Sequence, residues 1–94
     1  MDAMWIGYDE AEQLREVLQG IAADEHAPER VRARSLAAAP MVGPRIGRDD
    51  LEVVARLLEV AADSELDPTW RDSAGYWHLQ VQHWLRPEGG HPGY

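Results

Sequence analysis

Cysteine, lysine, asparagine and phenylalanine are all absent from this 94-residue chain. Without cysteine there is no disulfide, no thiolate metal site and no cysteine nucleophile. Without lysine, every positive charge apart from histidine is an arginine, and nine arginines face seventeen acidic residues for a formal net charge of −8. A surface that acidic repels nucleic acid unless a basic patch stands well apart from the rest. No apolar run approaches the roughly 18 residues of a membrane-crossing helix, and no basic stretch followed by an apolar one opens the chain. The reading is a soluble cytoplasmic protein of one domain, with no membrane partner and nucleic acid disfavoured as one.

Catalytic signatures are missing as well. There is no GxSxG elbow, phosphate loop, HExxH pair or glycine-rich dinucleotide turn. Ser35, Ser64 and Ser73 have no histidine at a suggestive spacing. His78 and His83 are five residues apart, roughly 140° around a helix, so they do not chelate one metal from a common face. The expectation is a protein that is not an enzyme, with no catalytic, cofactor or metal site.

The most conspicuous feature present is a tryptophan every seventh residue: Trp70, Trp77 and Trp84. At about 100° per residue they fall within a narrow arc of one helix face, together with Ala74, Val81 and Leu85. Each buried aromatic removes roughly 150–250 Å² from water. The expectation is that this helix is the centre of the core and that the other elements wrap it; an aromatic platform for a ligand is the alternative.

Around that helix the chain reads as four helices, over about 10–24, 28–39, 50–62 and 68–86, forming one domain over 1–87. Asp9 with Glu12, and Asp49 with Glu52, have capping-box spacing. Pro28 and Pro68 suit first helical turns, Asp67 caps the last helix, and Pro87 stops it. The third helix is apolar over more than half its circumference and should be the most enclosed after the fourth. Gly20 weakens the first helix by about 1 kcal/mol relative to alanine. Residues 40–47, with two prolines and two glycines, read as a loop from which Met41, Val42 and Ile46 tuck back. Met4, Trp5, Ile6 and Tyr8 read as an extended arm or short turn across the helices, and 88–94 as a flexible tail.

A shift of 40 residues superimposes Asp9, Glu12, Leu18, Ala22, Glu25 and Pro28 on Asp49, Glu52, Leu58, Ala62, Glu65 and Pro68. The fold class expected is therefore all-α, a small antiparallel four-helix bundle built as two pseudo-repeated helical hairpins.

Charge is uneven: residues 1–27 sum to −6, 28–48 to +4, 49–68 to −6 and 69–94 to zero. Acidic residues in first helical turns stabilise the helix dipole; the functional alternative is an acidic face that docks on a basic partner or imitates a phosphate backbone. Arg30, Arg32, Arg34, Arg45 and Arg48 lack interleaved aromatics, so they are expected to pair with acidic helix ends, with RNA contact through Arg30–Arg48 as the alternative. On the fourth helix, Asp72, Tyr76, Leu79 and His83 share a face opposite the tryptophans. Either the Met4–Tyr8 arm or the Met41–Ile46 loop covers that face, or it is an interface for another protein, including a homodimer. The functional expectation is a small acidic module that acts by protein–protein binding. A bias towards alanine, arginine and glycine suggests a GC-rich genome, and size and composition suit a phage or bacterial regulator.

Overall fold

The computed structural model describes residues 3–86. It is mostly helical, with α1 (Tyr8–Ala23), α2 (Glu29–Ala38), α3 (Arg48–Ala62) and α4 (Pro68–Leu85). A 3₁₀ turn at Ala39–Met41 follows α2, and two short strands, β1 (Ala3–Trp5) and β2 (Arg45–Gly47), pair antiparallel with Met4 opposite Ile46. The tail at 88–94, His91 and the stop at Pro87 lie outside the described residues.

The strands correct the expectation of a plain loop over 40–47. Pairing gives the backbone groups of both segments partners, and Ile6 and Gly7 extend it by donating N–H groups to the Pro44 carbonyl. Strand alternation then decides which side chains turn inward. Met4 and Ile46 pack on the core while Trp5 and Arg45 face out. The arm is therefore only half as buried as its composition suggests, and Trp5 rests edge-on against exposed Tyr8. Met41, Val42 and Ile46 do tuck back.

The two capping boxes do not form. α1 and α3 start earlier, after Gly7 and Gly47, with no side-chain cap. Gly7 has φ of 98°, a conformation open to glycine at little cost. Asp9, Glu10, Asp49 and Asp50 instead occupy first turns, where their charge complements the helix dipole. Asp67 does cap α4, accepting the Thr69 N–H at 3.0 Å, with Pro68 in the first turn.

One carboxylate sets the relation between the hairpins. Asp24, just past α1, accepts the N–H of His26 at 2.9 Å within its own turn and the N–H of Asp67 at 2.7 Å from the turn before α4. Both connecting turns, before α2 and before α4, therefore lie at the same end. At the opposite end Arg48, at the start of α3, donates to the Leu85 carbonyl at 2.6 Å and satisfies one of the orphan carbonyls of α4.

The core centre is α3 rather than α4. Leu51, Val54, Ala55, Leu57, Leu58 and Ala61 of α3 are buried, against Ala74, Trp77, Val81 and Leu85 of α4. Leu14, Leu18, Ile21, Leu51 and Leu58 are among the largest fully enclosed side chains. Of the tryptophans only Trp77 is buried; Trp70 and Trp84 pack half-buried at the margins. An indole is too large to enclose fully in so small a core, whereas the smaller Leu14, Leu18, Leu51 and Leu58 are fully enclosed. Gly20 acquires a purpose here: the Trp70 indole lies directly on it, where any Cβ would overlap the ring.

The 40-residue shift extends into the structure. It maps Ile6 and Gly7 onto Ile46 and Gly47, both pairs being an inward side chain followed by a helix-start glycine. It maps buried Ala11, Leu14, Val17, Leu18 and Ile21 onto buried Leu51, Val54, Leu57, Leu58 and Ala61. The halves part company at the second helix, 10 residues in α2 and 18 in α4.

Candidate functional site

With Ala74, Trp77, Val81 and Leu85 turned inward, the period of α4 carries Asp72, Tyr76, Leu79 and His83 to the outside at positions i, i+4, i+7 and i+11. All four are exposed; Tyr76 keeps 59 % and Leu79 70 % of its accessible surface. Neither the arm nor the 41–46 segment covers them: Met4, Ile6, Met41, Val42 and Ile46 pack on the core, and Trp5 packs on Tyr8. Tyr76 is braced: its ring meets Trp77 edge to face at 5.3 Å and 90°, and Trp77 in turn touches Trp84 at 6.2 Å. A ring held this way loses little freedom when something packs on it. His78 lies on a flank, 3.5 Å from Gln82.

The arginines are divided rather than gathered. Arg32 donates to the Ala22 carbonyl at 3.4 Å and Arg48 to Leu85, while Arg15 reaches the Val42 carbonyl at 2.7 Å. Guanidinium groups are thus used on carbonyls at helix ends and turns, where backbone acceptors lack partners. The pairing expected with acidic helix ends reduces, among the described residues, to Arg48–Glu52 at 3.6 Å. Arg30, Arg34, Arg45 and Arg56 are exposed and form no ion pair there.

Sequence reasoning missed a groove of about 890 Å³ between α2 and α3. It is lined by Val31 and Ala38 from α2 and by Val53, Leu57 and Val60 from α3, together with the charged Arg30, Arg34, Arg56, Asp49 and Glu52. Val53 and Val60 remain 53 % and 45 % exposed. The signal was present in the over-wide apolar arc of α3, more than its neighbours can cover.

The Asp24 carboxyl is held below the usual aspartate range, first by the Asp67 N–H. Burial opposes this, and the His26 N–H and the charges of His26 and Arg32 add to it. Among the described residues no group of three or more His, Asp or Glu side chains is placed to hold a metal ion, and no helix is long and apolar enough to cross a membrane. Comparison with protein-family models, with curated proteins and with solved structures finds no match to this chain.

Proposed function

We propose that this chain is a non-catalytic binding module, a four-helix bundle of two pseudo-repeated hairpins that acts by gripping a protein through the outer face of α4. The observation that carries this reading is the exposure of Tyr76 and Leu79 side by side, with Tyr76 braced on buried Trp77. Single exposed apolar residues are ordinary, but a tyrosine and a leucine flanked by Asp72 and His83 have the composition of an interface: an aromatic anchor with a polar rim. The arginine segment supports an RNA role poorly, since Arg32 and Arg48 are engaged on backbone carbonyls.

Site-specific photo-crosslinking in the native host tests it. A photoreactive side chain at position 79 should capture protein, while the same group at exposed Glu59 should not. Crosslinks from position 79 to nucleic acid, or none above those from position 59, would end the reading.

A further inference from the structure

We propose that the exposed seam of α4 docks, parallel to α2, into the α2–α3 groove of a second copy of this chain. The inference rests on α4's outer face being the binding surface and adds what that face grips.

The two surfaces match in form. The α3 wall presents Val53, Leu57 and Val60 at i, i+4 and i+7, and the α2 wall presents Val31 and Ala38 at i and i+7, with Met41 from the 3₁₀ turn beyond it. Helix walls with this repeat and with alanines between form holes that accept the knobs of a third helix. Tyr76 and Leu79 are knobs of that kind, one turn apart on an uncovered helix. Asp72 to His83 spans eleven residues, and so does Asp49 to Val60 along the groove, about 16 Å in each case.

Charge fixes the direction. Because the Asp24–Asp67 link puts the start of α2 and the end of α3 at the same end, Arg30 lies towards that end, while Arg34 and Arg56 stand near the middle of their helices. Asp49 and Glu52 lie towards the other end. The seam has Asp72 at its start and His83 and Arg86 at its finish. Laid parallel to α2, Asp72 meets Arg30 and Arg86 meets Asp49; reversed, Arg86 meets Arg30 and Asp72 meets Asp49. Arg30 and Arg34 are one turn apart on one helix, a repulsive pair that an incoming carboxylate relieves. The α2 wall belongs to the 28–48 stretch at +4 and the seam to 69–94 at zero, while the α3 wall belongs to 49–68 at −6 and offers Arg56 beside Asp49 and Glu52.

Since seam and groove are different surfaces, the contact is head-to-tail, and each copy offers one of each to its neighbours. Two variants separate the surfaces: Leu79→Asp breaks the seam, and Val53→Arg blocks the groove. Both residues are exposed, so circular dichroism and melting should stay as in the unmutated protein; if Val53→Arg shifts melting, Arg34→Glu replaces it. By sedimentation equilibrium up to about 1 mM, the unmutated chain should rise from 10.6 kDa past twice that mass. Each variant alone should stay monomeric. Their equimolar mixture should regain association and stop at a dimer, because one intact seam then meets one intact groove. An unmutated chain that stays monomeric overturns the inference, as does a dimer that Leu79→Asp breaks and the mixture does not restore, which would mean α4 meeting α4. Crosslinks from position 79 to a different protein, alongside a monomer in the centrifuge, would leave the α4 face standing and remove only the groove as its partner.

Discussion

Ser35 shows how one residue can belong to the core and still work against it. It is fully enclosed on the stripe that α2 buries with Val31 and Ala38, and its hydroxyl has no hydrogen-bond partner among the described residues. A buried donor left unpaired costs about 1–3 kcal/mol, and alanine is also the better helix former. Ser35→Ala should therefore stabilise the protein by about 1–2 kcal/mol, seen as a higher urea midpoint with an unchanged slope. A lower midpoint would mean that the hydroxyl does find an acceptor. In the sequence Ser35 stands out only as a serine without a histidine. Its burial follows from three-dimensional neighbours, and α2 has too few large apolar residues to announce which face it turns inward.

Between elements, the carboxylate of Asp24 does what neither connecting turn does alone. It holds the turn before α2 and the turn before α4 together through two backbone N–H groups. Its folded pKa is depressed, chiefly by the Asp67 N–H, so its contribution is complete above the unfolded value of about 3.9 and is lost as pH falls through the lower, folded value. Asp24→Ala should cost about 2–4 kcal/mol at pH 7, where two charge-assisted bonds disappear. The gap between variant and unmutated protein should narrow in urea titrations near pH 3. A gap of equal size at both pH values would assign the effect to packing instead of charge. The helices themselves were legible, all four within two residues at either end, because their periodicity and their prolines are local. The strands were not, since three residues carry little signal and β1 finds its partner some forty residues away. The capping boxes misled because each helix begins before the residues that resembled caps, after Gly7 at φ of 98° and after Gly47 in ordinary extended backbone.

At the scale of the whole molecule, the sequence holds the repeat and the exposed face of α4 but not the groove. The repeat survives as matching burial, from Ala11 and Leu51 through to Ile21 and Ala61. The face survives because one helix has only one stripe to bury, and Trp77 already occupies it. The groove depends on how far α2 and α3 splay, which no single helix encodes.

The pairing of β1 with β2 has a consequence for how the chain is held together. It joins the two halves at the point where they are related to each other, so backbone hydrogen bonds bridge them independently of the peptide link through residues 39–44. That link then supplies little beyond proximity, equivalent to an effective concentration of order millimolar. Severed between Gly43 and Pro44, the chain should behave as two complementing fragments. Each alone would expose the leucines it normally shares and lose most of its helical circular dichroism, and an equimolar mixture at tens of micromolar should recover it. Full helicity in either fragment by itself would make the halves autonomous units that merely touch. Recovery on mixing would make them one fold written in two instalments, with dilution alone enough to take it apart.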